Sequence, residues 1–242
     1  MNLNSNVSQI IILVAIGLAG AIAIIPYSLA LRGEITLKPI MIVLSVVQSL
    51  ILLSAASIVG LLANRSLGLI IKSDPGKLII AVLIGLAAGF LVIGIEKFIF
   101  SSRLPEALVE AGNASLPLWK RFLACFYGGI TEEILMRWFL LSGILWLLTR
   151  FLHGPANETV AAAFWIANIL VAILFGLGHL PATKMLTELT PLIVSRALIL
   201  NGIAGLIFGW VFWKYGLAAA MVSHFCADIV LHIIGPVLSR IG

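Results

Sequence analysis

The feature that most restricts what this chain can fold into is a series of apolar stretches, each about 20 residues long, divided by short polar breaks. A helix rises about 1.5 Å per residue, so each stretch is long enough to cross the roughly 30 Å hydrocarbon core of a bilayer. Only segments that satisfy their own backbone hydrogen bonds can do so singly, and that means helices. Composition agrees: 62% of residues are hydrophobic, 10% are charged and the mean hydropathy is +1.18. A water-soluble domain carries about a quarter charged residues. The expected fold class is therefore all-α, a polytopic transmembrane helical bundle of seven to eight spans.

The spacing predicts spans at Ile10–Leu31, Ile40–Leu62, Leu78–Ile95, Phe122–Leu148, Val160–His179, Ala197–Trp213 and Leu217–Ile234. Arg32, Glu34 and Lys38, then Arg65, Lys72, Asp74 and Lys77, mark the early turns, and Thr183–Arg196 is a polar-studded connection able to form a short interfacial or eighth helix. The first stretch is too long for a signal-peptide core and follows MNLNSNVSQ, which lacks Lys and Arg, so it reads as a true span. The chain is expected to be one transmembrane domain, with residues 1–121 supplying N-terminal helices and a loop, and 122–242 a core that carries the polar groups. With the N-terminus outside, nine basic residues, Arg240 among them, fall on the inner side and five on the outer. The loop Lys97–Arg121 then lies on the inner side, long enough to shape a cavity mouth at the membrane surface.

Cys125 and Cys226 are the two cysteines, both in apolar runs, which excludes a disulfide-stapled module. A balance of 15 basic against 10 acidic residues points to loops facing an anionic leaflet, not to nucleic acid. Gly85-x-x-x-Gly89 and Gly205-x-x-x-Gly209 place small residues one turn apart, a pattern for close helix contact in lipid. Pro26 and Pro236 lie within or near spans and take no chemical part.

Ionisable groups inside a span are expensive, so those that persist usually face the bundle interior and mark a site. Three groups stand out. Glu132, Glu133 and Arg137 lie in the fourth span, about 15 Å from its Phe122 end at helical rise. Glu133 and Arg137 are four apart and can pair, while Glu132 points about 100° away. Phe175 and His179 close the fifth span. His224, Asp228 and His232 form one stripe on the last. A buried ion-pair network that fixes helix register accounts for part of this set but leaves Glu132 and His179 unexplained. Carboxylates and imidazoles on three helices are also what a proton-abstracting or metal-binding centre needs.

Taken in order, Glu132-Glu133-x-x-x-Arg137, Phe175-x-x-x-His179 and His224-x-x-x-Asp228 resemble the EExxxR, FxxxH and HxxxN/D motifs of the CPBP intramembrane proteases. That family includes CAAX prenyl proteases, bacteriocin-processing enzymes and Abi proteins, and the resemblance runs from Phe122 onward. It implies an intramembrane endopeptidase in which Glu132 and His179 activate a water, and His224 with Asp228 faces the developing oxyanion. Asp228 stands where better-studied members carry Asn; unlike an amide, an ionised Asp cannot donate, which implies that it supports His224. Glu133, Arg137 and Phe175 take supporting roles, with Arg137 neutralising Glu133 and Phe175 packing His179. His232 reads as an interfacial residue near the chain's end.

Cofactor use stays open between none and a single zinc ion, for which Glu132, His179 and His224 are the candidate ligands with a water position left free. The implied partners are the lipid bilayer and a membrane-associated peptide or protein, prenylated CAAX or leader type, with no nucleic acid. The implied location is the plasma (inner) membrane of a prokaryote, with the site facing the cytoplasm. Two other classes use the same polar cluster: a transporter, and a non-catalytic protein that binds a membrane partner. Transport needs a through-path, and the polar sites fall only in the second half of the chain.

Overall fold

The computed structural model describes residues 3–33, 38–113, 116–152 and 156–238. Glu34 and Arg240, which entered the charge reading, and the first two residues lie outside them. Eight helices follow in chain order: α1 (Asn4–Leu31), α2 (Pro39–Leu67), α3 (Pro75–Arg103), α4 (Glu106–Asn113), α5 (Leu118–Phe151), α6 (Val160–Lys184), α7 (Pro191–Tyr215) and α8 (Leu217–Val237). All but α4 are long and apolar enough to cross a membrane, which gives seven candidate spans among the described residues. Thr183–Arg196 makes no helix of its own; Pro191 starts α7, so the segment divides between the end of α6, a turn and the first residues of α7.

Local chemistry sets the ends. Pro39, Pro75 and Pro191 open α2, α3 and α7, where the missing N–H costs nothing and φ is already helical. Thr190 caps α7 by accepting from the Ile193 N–H. In α1 the helix breaks at Ile24, two residues before Pro26, which cannot donate to its turn. Gly68 ends α2 at φ 67° and donates to the Asn64 carbonyl at 3.0 Å.

The turn between α7 and α8 is held from below by the α2–α3 linker. Ile70 and Ile71 carbonyls accept from the N–H groups of Leu217 and Ala218 at 3.0 and 2.9 Å, and Ser73 Oγ accepts from Ala219 while donating to the Tyr215 carbonyl. The first orphan donors of α8 are thereby satisfied. Gly216 sits at φ 93°, and a Cβ there would press on the Ile70 backbone.

The bundle is apolar on its outside as well as within. Val43, Leu44, Ile51, Ile79, Leu83 and Ile173 are exposed. The interior is built by Leu53, Ile134, Trp138, Leu141, Phe164 and Phe208. Both glycine pairs mark close contacts, as the sequence suggests: a Cβ on Gly85 or Gly89 would run into Ser223 or Val230 of α8, and one on Gly205 or Gly209 into Ala172 or Asn168 of α6. Such approaches carry helix association where no hydrophobic gain exists. Several boundaries shift: α1 and α7 start six residues before Ile10 and Ala197, and α2 and α6 run five residues past Leu62 and His179. Helix α3 continues past Ile95 to Arg103, and the loop that follows contains α4; helix α5 starts four residues before Phe122.

Candidate active site

Helix α5 is not a regular α-helix where it carries the acids. Tyr127–Glu132 and Ile134–Leu141 are wound as π-helix, a geometry that recurs at functional sites because it re-aims side chains. Ser142 Oγ donates to the Arg137 carbonyl at 3.0 Å. Thr131, next to the acid pair, donates to the Gly17 carbonyl of α1 at 2.8 Å and fixes the depth of α5.

Glu133 and Arg137 are fully buried and pair at 2.8 Å between Oε1 and Nη1, as their spacing predicts. Arg137 also donates from Nη2 to the Gly205 carbonyl at 3.1 Å. Its guanidinium is held between two aromatic faces, 5.0 Å from the Phe175 centroid and 5.5 Å from that of Phe208. These contacts compensate a charge that lipid cannot solvate.

Glu133 has a second partner that sequence reading does not supply. His224 Nδ1 lies 2.7 Å from Glu133 Oε1; a carboxylate already held by Arg137 accepts, so Nδ1 carries the proton. The His224 ring stacks on Phe208, with centroids 4.5 Å apart and planes at 21°. Glu133, rather than Asp228, thus fixes the His224 ring, and Nε2 is turned towards the two remaining acids. It stands 3.8 Å from Glu132 Oε2 and 3.7 Å from Asp228 Oδ1. Both gaps exceed a direct hydrogen bond.

His179 is fixed by similar logic. Its Nδ1 lies 2.8 Å from the Phe175 carbonyl, which can only accept, so Nδ1 donates and Nε2 is left as an acceptor. Phe175 meets the edges of the His179 and His224 rings at 4.8 and 5.7 Å. It therefore touches His179, Arg137 and His224 together, more than the single packing contact expected of it. Glu132 keeps 18% side-chain exposure while its neighbour Glu133 has none, which separates the two acids as their directions on the helix suggest.

His232 lies closer to this cluster than its place near the chain's end implies. Its Nε2 is 4.0 Å from Asp228 Oδ1, and its ring meets the edge of Tyr27 from α1 at 5.6 Å. Sequence reading also leaves out Gly128. A Cβ there would overlap Asp228 Oδ2 and come within 3.0 Å of His224 Nε2, so a glycine is needed for α8 to bring those side chains against α5. Among the described residues, no three His, Cys, Asp or Glu side chains are disposed to hold a metal ion, the trio Glu132, His179 and His224 included.

The arrangement can accept and return a proton at Glu132 and present a fixed imidazole nitrogen beside it. No curated protein and no solved structure matched the chain. A protein-family model described as type II CAAX prenyl endopeptidase Rce1-like matches residues 114–230. That segment begins ahead of α5, runs into α8 and contains Glu132, Glu133, Arg137, Phe175, His179, His224 and Asp228. Residues 114–230 are accordingly similar to the Rce1-like type II CAAX prenyl endopeptidases, consistent with the CPBP family that the three motifs resemble.

Proposed function

We propose that this integral membrane protein hydrolyses a peptide bond in a membrane-associated peptide or protein, with Glu132 as general base and His224 facing the oxyanion. The Rce1-like domain supports the general class, a CAAX-type intramembrane endopeptidase. The observation that carries the assignment of roles is the pair of gaps, 3.7 and 3.8 Å, between His224 Nε2 and the carboxyl groups of Asp228 and Glu132. Polar atoms converge there without bonding one another, so each keeps a donor or acceptor for a substrate group.

Glu132 takes a proton from the water as its oxygen bonds to the scissile carbonyl carbon, and the carbonyl π electrons move onto oxygen. His179 Nε2 accepts the water's second hydrogen bond and orients it. The oxyanion faces His224 Nε2, which donates when the ring carries a second proton, its other nitrogen already given to Glu133. Donors preset towards that charge act strongly where water is excluded. The C–N bond then breaks, and the amine takes the proton back from Glu132. Asp228, between His224 and His232, balances the imidazole charge. With the N-terminus outside, the site opens to the cytoplasm, and prenylated CAAX or leader-type peptides are the substrates to try.

The test is cleavage of a peptide panel containing both types by detergent-purified wild type, Glu132→Ala and His179→Ala, each with and without a chelator. The reading expects wild-type cleavage that either substitution abolishes, and the chelator arm decides the dependence on metal. A folded wild type that cleaves nothing in a broad panel favours transport or partner binding.

A further inference from the structure

At the end of the bundle where α1 and α8 begin and α2 stops, a cavity of about 660 Å³ opens between these helices, Trp138 of α5 and the α2–α3 linker. Its size is that of a ligand pocket, and most of its wall is apolar, with Trp138 and Met221 among the lining residues. The polar part is sharply chosen. Arg65 and Lys72 line the cavity and are exposed, and no acidic residue lines it. The neighbouring Asp74 is engaged by Lys77 at 2.8 Å.

Asn64 supplies an independent observation. It lines the same cavity at 5% exposure, and neither its Nδ2 nor its Oδ1 has a hydrogen-bond partner among the described residues. A buried amide with both ends unsatisfied is rare in a folded protein. It offers one donor group and one acceptor to whatever enters, and Gln9 of α1 lines the cavity with a second amide. An occupant that suits all of this has an anionic head able to accept from Arg65, Lys72 and the Asn64 amide, a hydroxyl to donate to Asn64 Oδ1, and an apolar tail.

We propose that this cavity binds an anionic membrane glycerolipid, its headgroup between Arg65, Lys72 and Asn64 and its acyl chain along the Trp138 wall. The site is built by α1, α2, the linker, α8 and Trp138 of α5; no member of the Glu132 cluster lines it, and it holds whether or not the chain is a protease.

The test is native mass spectrometry and thermal unfolding of the detergent-purified full chain with phosphatidylglycerol, phosphatidylcholine or inorganic phosphate added. One phosphatidylglycerol is expected to remain bound per chain at concentrations where phosphatidylcholine is lost, with the unfolding midpoint raised by roughly 5–10 °C at a hundredfold excess over Kd. The paired substitution Arg65→Gln and Lys72→Gln, on exposed side chains that folding does not need, is expected to weaken that binding roughly tenfold or more. Asn64→Leu is expected to weaken it also; should that variant not fold, the charge pair decides. Equal retention of phosphatidylcholine, equal stabilisation by phosphate alone, or unchanged phosphatidylglycerol binding in the paired variant would each overturn the proposal.

Discussion

Glu133–Arg137 and Glu96–Arg196, two acid–arginine pairs among the described residues, have little in common beyond their chemistry. Glu133–Arg137 lies within one helix, is fully buried, and shares its carboxylate with His224. Glu96–Arg196 joins α3 to α7, keeps a quarter of each side chain exposed and is held by bonds of 2.7 to 3.0 Å. The first is locked into a set of contacts in which each group answers to several others. The second is a clasp that water can partly replace. What separates them is the cost of leaving one partner alone, large in an apolar interior and small at its edge.

Breaking the inner pair should have the largest effect on stability. Arg137→Leu strands Glu133 in the bundle and is expected to cost about 3–5 kcal/mol, read as a fall in the thermal unfolding midpoint and in folded yield. Substituting Glu133 and Arg137 together by Leu should recover much of that stability, because no unpaired charge remains, yet leave the protein inactive with His224 no longer held. A variant pair that stayed active would break the contrast.

A smaller change tests the same interior through geometry. Gly128→Ala pushes Asp228 away from α5 and is expected to lower kcat by roughly a hundredfold, the scale of a misplacement near 1 Å, with a lesser effect on stability. Steady-state kinetics beside an unfolding curve separates the two. At the outer pair, Arg196→Gln should cost about 1 kcal/mol or less and change kcat by less than roughly threefold. A larger loss there would mean that the α3–α7 seam is part of the catalytic geometry.

The sequence made legible whatever depends on neighbours along the chain. Hydropathy located the spans, the glycine spacing located two helix contacts, and the interval of four between Glu133 and Arg137 located their bond. The bond from Glu133 to His224 was not legible, because it joins residues 91 apart whose meeting depends on how α5 and α8 cross. Glu96 lay one position beyond the expected end of its span, and its partner is 100 residues away. Phe208 and Gly205 look like ordinary apolar residues until the fold sets them against Arg137. The π winding of α5 leaves no mark in an apolar pattern, and it falls where Thr131 and Gly128 pack against α1 and α8.

The claim that matters most is the division of labour between adjacent glutamates, Glu132 reacting and Glu133 holding. It is tested most directly by kcat and the unfolding midpoint of Glu132→Gln beside Glu133→Gln, on one cleaved peptide, at a temperature where both variants are folded. Glu132→Gln is expected to lose about 10²–10⁴-fold in kcat with its midpoint unchanged, while Glu133→Gln loses its midpoint first. A Glu132→Gln protein that cleaves at the wild-type rate would contradict the account.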